Sequence, residues 1–178
     1  ARANPGALNF ASDGWSSFPN LIQLWMEKEY GISMTHIPYK NPAAVMQAMV
    51  TGEAHLTYYG LANFIQHHTS GKIRVIATSG AQRSPLLPSV PTMQEQGVSL
   101  DTRIWFGWLS PAGTPRDIRE RVYREVQRVE ANQAFREKHF HAQAIEPIAN
   151  SPEEFATFIK ADAAASANLL KLLGAKPQ

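Results

Sequence analysis

Apolar residues along the chain follow two periods, that of an α-helix and that of a β-strand. The helical period is clearest over residues 41–51, where four apolar side chains fall on one face. Asn41 is expected to cap this helix, Pro42 to take its first position and Gly52 to follow its end. The pattern therefore predicts a helix with defined boundaries at both ends.

The same two periods divide the rest of the chain into short alternating elements. Further helices are predicted over residues 20–30, 61–68, 115–131, 135–141 and 152–173, and strands over residues 8–11, 33–38, 55–59, 73–78, 103–109 and 145–148. Strands that alternate with helices of about ten residues are typical of βαβ units. We therefore predict an α/β fold whose sheet is mostly parallel and flanked by helices.

Composition narrows the class of protein. The chain has 178 residues, 44% of them hydrophobic, which is enough to bury a core. Seventeen basic residues against fifteen acidic ones leave a net charge of +2. This excess is too small to indicate a protein that binds nucleic acid or a membrane surface. The absence of cysteine excludes disulfides and thiolate metal sites. The start, ARANPG, reads like the end of a helix before a turn, so we expect a mature fragment or a shortened form without a signal peptide.

Three predicted loops follow strands and lead into helix N-termini, the place where open parallel sheets bind ligands. They span residues 12–19, 39–42 and 59–63. In the first loop, Gly14 would let the backbone approach a ligand, and the hydroxyls of Ser12, Ser16 and Ser17 could donate to it. Free N–H groups and the positive helix end both favour an anion there. On the residues alone, the alternative of ordinary loop and capping residues stays open.

No catalytic or cofactor motif accompanies these loops. The sequence has no G-x-S-x-G elbow, no P-loop and no dinucleotide fingerprint, so we predict neither an enzyme nor a cofactor. His67 and His68 point about 100° apart on a helix and cannot share a metal ion. Ser17 and His36 could be paired as a hydrolase on paper, but nothing in their spacing supports it.

Several segments, in order and in one register, resemble a known family. They are LNFASDGWSSFPNL, MTHIPYK, TGEAHLTYYG, IRVIATSGAQRSPLLPSVPTMQEQG, WFGWLSPAGTP and SPEEFATFIKAD. The chain resembles the substrate-binding proteins of tripartite tricarboxylate transporters, also called the Bordetella uptake gene family. Each motif is loose, but their order and spacing together are specific.

The resemblance implies a type II periplasmic-binding-protein-like fold of two lobes around a cleft. Such proteins capture small di- or tricarboxylates, acidic amino acids or aromatic acids for a membrane transporter or a sensor. The chain is similar only to the later part of the family pattern. Residues 1–104 correspond to the second lobe, incomplete at its start, and residues 105–178 to a crossing strand and helices of the first lobe. The first-lobe loop that clamps one carboxylate has no counterpart in the sequence.

Carried over by position, the family's Ser-Ala-Gly-x-Gly-Ser carboxylate cradle falls on one stretch of the chain, namely Ser12, Asp13, Gly14, Trp15, Ser16 and Ser17. Asp13 departs from the pattern by adding a negative charge, and Ser16 replaces a glycine. Tyr59 stands where amino-acid-binding members have an aspartate for the ammonium group, which favours a plain carboxylate, such as an aromatic one.

Aromatic side chains near the cradle suggest an apolar wall for such a ligand. Trp15, Tyr58 and Tyr59 are the candidates for this wall. The alternative is that Tyr58 faces the core and that Trp15 packs on the helix after its loop. Further residues at strand ends and in the second and third loops complete the predicted ligand-binding set, namely Tyr39, Asn63 and Thr78.

Three functions remain open at this point. The first is a carboxylate-binding module, and the second is a self-associating structural fragment that binds little or no ligand. The third, a small hydrolase, has the weakest basis. The helices predicted over residues 115–131 and 152–173 carry apolar stripes with no sheet of their own to cover. We therefore expect a homo-oligomer, a dimer or larger.

Overall fold

Short strands and longer helices alternate in the part of the chain that the computed structural model describes, which is residues 1–80, 82–98, 100 and 104–173. The strands are β1 (Asn9–Ser12) and β2 (Thr35–Pro38). The helices are α1 (Phe18–Tyr30), α2 (Pro42–Thr51), α3 (Ile65–Thr69), α4 (Arg116–Glu130), α5 (Gln133–His139) and α6 (Pro152–Leu173). Single 3₁₀ turns lie at Leu61–Asn63, Gln94–Gln96 and His141–Gln143. The chain divides into two compact units, described separately below.

The first unit, which contains residues 1–59, is built around a parallel pair of strands. β1 and β2 run in register from Asn9 opposite Thr35 to Ser12 opposite Pro38. A third stretch joins β1 on its other side, where Leu56 forms a single parallel bridge with Phe10. This small parallel sheet, contacted by α1 and α2, confirms the predicted α/β class.

Buried side chains alternate between the two faces of β1, as the strand period requires. Ala11 is fully buried in a cluster with Val45 and Ala48 of α2 and with Ala54. Phe10, the neighbour of Ala11 on the opposite face, is also buried, at 2% exposure. Packing on both faces of β1 therefore fixes the strand whose end leads into the residue 12–17 loop.

Helix ends in this unit form where the sequence predicts them. The Asn41 side chain accepts a hydrogen bond from the Ala44 N–H at 2.9 Å, so it caps α2. Gly31 and Gly52 adopt left-handed conformations that end α1 and α2, with φ of 58° and 79°. A side chain with a Cβ would be strained in that region, which is why glycine stands at both ends.

The second unit, which contains residues 60–65 and 75–161, is mainly helical. Ser151 and Glu154 form a reciprocal capping box at the start of α6, with N–H donors to the opposing side-chain oxygens at 2.8 and 3.2 Å. Trp105 packs edge-on against Phe155 and Phe158 of α6. Several large apolar side chains that follow Trp105 in the chain are exposed, namely Phe106 (77%), Trp108 (81%) and Leu109 (76%).

Four of the predicted strands are wrong or only partly formed. Residues 55–59 contribute the single Leu56 bridge, and residues 73–78 contribute one bridge between Thr78 and Thr92. Residues 104–109 and 145–148 form no strand in the described structure, while Arg103 lies outside the described residues. The apolar patterns of these segments suit a strand, but a strand also needs a neighbour to complete its hydrogen-bond ladder. No described helix is both long and apolar enough to cross a membrane.

Replacing Asn41 by alanine removes the acceptor that caps α2. We expect the free energy of unfolding to fall by about 1 kcal/mol, measured by urea denaturation. Asn41→Asp retains the acceptor and should remain near wild type. Asn4→Ala is the matched control, because the Asn4 side chain makes no hydrogen bond to the described residues. Equal stability of Asn41→Ala and Asn4→Ala would contradict the capping role.

Candidate functional site

The loop of residues 13–17 joins the carboxyl end of β1 to the N-terminus of α1. Gly14 has a φ of 141°, a conformation that side chains with a Cβ rarely adopt. A Cβ at Gly14 would meet no heavy atom within 4 Å, so backbone conformation, not space, requires glycine. The sequence thus allows a sharp turn between the strand end and the helix start.

Two serine hydroxyls hold the Gly14 peptide groups from within the loop. The Ser12 and Ser17 hydroxyls donate to the Gly14 carbonyl at 2.9 and 2.7 Å. The same carbonyl accepts the Ser17 N–H at 3.2 Å, and the Gly14 N–H donates to Ser12 Oγ at 3.2 Å. Both hydroxyl protons are therefore directed at the loop's own backbone. This differs from the predicted use of these hydroxyls as ligand donors.

The next two backbone N–H groups point to no protein acceptor. Among the described residues, nothing accepts a hydrogen bond from the N–H of Trp15 or Ser16. Both residues are exposed, Trp15 at 70%, and Ser17 makes no side-chain cap to α1. Free N–H groups next to a helix N-terminus favour a negatively charged group. The anion-site interpretation of the loop stays a prediction, and these N–H groups are the donors that it would use.

His36 of β2 contacts this loop, and the sequence alone did not identify it as part of the site. Its Nε2 lies 2.6 Å from Ser12 Oγ, and its ring meets the Trp15 ring edge-on at 4.5 Å between centroids. Burial lowers the pKa of His36, and the Glu27 carboxylate partly opposes that shift. Its Nδ1 is buried and has no partner among the described residues.

The Ser12–His36 contact does not form a hydrolase site. Ser12 is fully buried, and its hydroxyl is directed at the Gly14 carbonyl rather than at an open cleft. In the described structure no carboxylate orients Nδ1 of His36, as a serine-histidine-acid triad requires. Ser17 and His36, the pair that the sequence spacing did not support, form no hydrogen bond either, because the Ser17 hydroxyl donates to the Gly14 carbonyl.

Asp13, a departure from the family's loop pattern, contacts Tyr59, which departs from the pattern outside the loop. The Tyr59 hydroxyl donates to Asp13 Oδ1 at 2.8 Å. Burial, followed by this hydrogen bond to a carboxylate, raises the pKa of Tyr59 well above its ordinary value. Tyr59 is therefore a neutral donor whose proton is committed to Asp13. The pair adds a carboxylate to the loop that carries the free N–H groups.

Tyr58 and Tyr39, two further predicted residues, also lie in the first unit. Tyr58 packs against Phe18 at the start of α1, with ring centroids 5.8 Å apart. The Tyr39 N–H donates to the Ser12 carbonyl at 2.8 Å, but its hydroxyl donates to Glu53. Burial and then the Glu53 hydrogen bond raise the pKa of Tyr39. The first unit thus brings residues 12–17, 39, 58 and 59 together around the end of β1.

Two predicted ligand-binding residues belong to the second unit. The Asn63 amide donates to the Gly60 carbonyl at 3.0 Å in a 3₁₀ turn. Thr78 pairs through its backbone with residues 91–93, and its hydroxyl is buried without a partner among the described residues. Their role in ligand binding stays a prediction. No group of three histidine, aspartate or glutamate side chains in the described part of the chain is arranged to hold a metal ion.

Comparison with known proteins identifies a family match that includes the loop of residues 12–17. Residues 1–175 match the family described as "Tripartite tricarboxylate transporter family receptor". A UPF0065 protein from the gbd 5' region of Cupriavidus necator is 32% identical over 123 residues, which are 69% of this chain and 37% of that protein.

Two solved structures match almost the entire chain. R. palustris Rpa4515, solved with adipate, has a TM-score of 0.89 and 27% identity, covering all of this chain and 60% of that one. The periplasmic binding protein BugD has a TM-score of 0.84 and 27% identity, covering 99% of this chain and 60% of its own. These matches confirm the predicted periplasmic-binding-protein-like fold. The chain spans less than two thirds of the length of each.

The burial of His36 predicts a pH dependence of stability. Because the folded state lowers the pKa of His36 below its ordinary value near 6.5, the unfolded chain takes up a proton more readily. The free energy of unfolding should therefore decrease as pH falls from 7.5 to 5.5. In His36→Gln this decrease should be smaller, measured by urea denaturation across that range, whereas Asn4→Ala, which changes no titratable group, should keep the wild-type slope. Equal slopes in wild type and His36→Gln would contradict the assignment.

Proposed function

Because the chain belongs to the tripartite tricarboxylate transporter receptor family, we propose that it is a non-enzymatic module that binds a small carboxylate at the loop of residues 12–17. In this proposal the protein acts in the periplasm and serves a membrane transporter or a sensor. Residues 1–104 form its second lobe, and residues 105–178 contribute a crossing segment and helices to the first lobe.

One observation supports this function most directly. The N–H groups of Trp15 and Ser16 have no acceptor among the described residues and lie beside the N-terminus of α1. Two adjacent donors and a positive helix end match the two oxygens and the charge of a carboxylate. The solved relative Rpa4515 carries adipate, a dicarboxylate, which supports the same ligand class.

The surroundings of the loop favour one kind of carboxylate. Asp13 adds a negative charge near the donors, so a second ligand carboxylate close to the first would be repelled. The Trp15 ring is 70% exposed beside the same donors and offers an apolar face. We infer a ligand with one carboxylate at the loop and an apolar or aromatic body extending from it, and not an amino acid.

A calorimetric screen of the chain against adipate, citrate, benzoate and glutamate tests the proposal. We expect saturable binding of adipate or benzoate, and about tenfold weaker binding by Gly14→Ala, because the strained φ reorients the loop. Gly31→Ala is the matched control, since it strains the opposite end of α1 at a φ of 58° and leaves the loop intact. No binding of any acid by a folded wild type, or equal binding by Gly14→Ala, would contradict the proposal.

The exposed apolar residues support a second candidate, a self-associating fragment with little ligand binding. Phe106, Trp108 and Leu109 are each more than three quarters exposed, and Ile118 and Val122 of α4 are nearly half exposed. Exposed apolar surface of this kind often marks a binding site for a partner. We propose that a second copy of the chain covers it, whether or not the loop also binds a carboxylate.

Size-exclusion chromatography with light scattering tests self-association. We expect a dimer or larger species at micromolar concentration, which Phe106→Ser with Trp108→Ser should shift toward monomer by removing apolar contact area. Trp15→Ser, on an exposed loop of the first unit, is the control and should leave the oligomer intact. A monomeric wild type would contradict self-association.

A further inference from the structure

We propose that His36 is a positioning residue, which aims the Trp15 N–H at the ligand by acting through the Ser12 hydroxyl and the Gly14 peptide. This inference deepens the proposed function and rests on it. His36 itself touches no ligand in this account. Its contacts with Ser12 and Trp15 are the structural observations from which the inference starts.

The peptide between Gly14 and Trp15 has a fixed geometry. The structure has no cis peptide bond among its described residues, so the Gly14 carbonyl and the Trp15 N–H are on opposite sides of one rigid plane. The carbonyl accepts hydrogen bonds from Ser12, from the Ser17 hydroxyl and from the Ser17 N–H. Holding that oxygen inward therefore directs the Trp15 N–H outward.

The Ser12 hydroxyl uses all of its hydrogen-bonding positions. A serine hydroxyl has one proton to donate and can accept two hydrogen bonds. Ser12 donates to the Gly14 carbonyl and accepts from the Gly14 N–H, which leaves one acceptor position for His36 at 2.6 Å. In the tautomer protonated on Nε2, His36 donates to that position. The bare Nδ1 agrees with this tautomer, since that nitrogen has no partner among the described residues.

His36 also contacts the loop at a second point, the Trp15 side chain. Its ring contacts the Trp15 ring edge-on, with an interplanar angle of 79°. The Trp15 side chain thus packs against the same histidine that contacts Ser12. Both the peptide and the side chain at the loop tip depend on His36. Loss of the Nε2 donor should free the Ser12 hydroxyl and allow the Gly14 peptide to rotate.

His36→Leu and His36→Gln separate positioning from general packing. Glutamine offers an amide donor at a reach similar to Nε2, whereas leucine offers none. With adipate as the calorimetric probe, we expect about tenfold weaker binding by His36→Leu and near wild-type binding by His36→Gln. His67→Gln is the control histidine outside the loop. Equal affinity of His36→Leu and wild type, or a loss in His36→Gln as large as in His36→Leu, would overturn the inference.

A ligand-free measurement distinguishes this inference from the proposed function. ¹⁵N relaxation dispersion should detect microsecond-to-millisecond exchange at Gly14, Trp15 and Ser16 in His36→Leu, and little in wild type or His36→Gln. If wild type binds no adipate but the variants differ in this way, the positioning role stands and the adipate-binding function fails. Absence of the exchange in His36→Leu overturns the positioning role. Should His36→Leu not fold, Ser12→Ala removes the same link and must give the same two results.

Discussion

The orientation of one peptide group, between Gly14 and Trp15, is the constraint on which the candidate site depends. Its oxygen is held by two serine hydroxyls and one backbone N–H, so its nitrogen faces away from the protein. A backbone N–H is a useful ligand donor only when its direction is fixed in advance, because a loop that must be ordered on binding loses affinity. The small polar residues of the loop supply this order and leave the outward donors free.

The surrounding fold explains why the constraint lies at this position. β1 is packed on both faces, and Phe10 and Ala11 fix the strand just before the loop begins. β2 runs parallel to β1 in a register that brings His36 opposite Phe10, two residues before Ser12. Residues two apart on a strand share a face, so His36 lies diagonally beside Ser12. The strand register therefore supplies the anchor for the Ser12 hydroxyl.

Local sequence patterns predicted much of this structure but not its long-range contacts. The ends of α2 followed from Asn41 and Gly52, since caps depend on a few neighbouring residues. The position of the residue 12–17 loop was predictable, because the carboxyl ends of parallel strands lead through loops into helices. The segment of residues 55–59 was mistaken for a full strand because pairing depends on a partner far along the chain. His36 was missed for the same reason, because it lies 24 residues from Ser12 in the sequence and reaches it only through the pairing of β1 with β2. The sequence signal that could have indicated this contact was a serine at the end of one predicted strand, Ser12, and a histidine in the next, His36.

The family and the site geometry support one account, in which part of a carboxylate receptor presents an ordered backbone cradle. The chain covers 60% of the length of the solved relative that carries adipate. A crystal structure of this chain grown with adipate tests the cradle most directly. The account predicts one ligand carboxylate within hydrogen-bonding distance of the backbone nitrogens of Trp15 and Ser16, with the Gly14 carbonyl still turned toward Ser12 and Ser17. Adipate bound elsewhere, or a Gly14 peptide rotated away from those hydroxyls in the bound state, would contradict it.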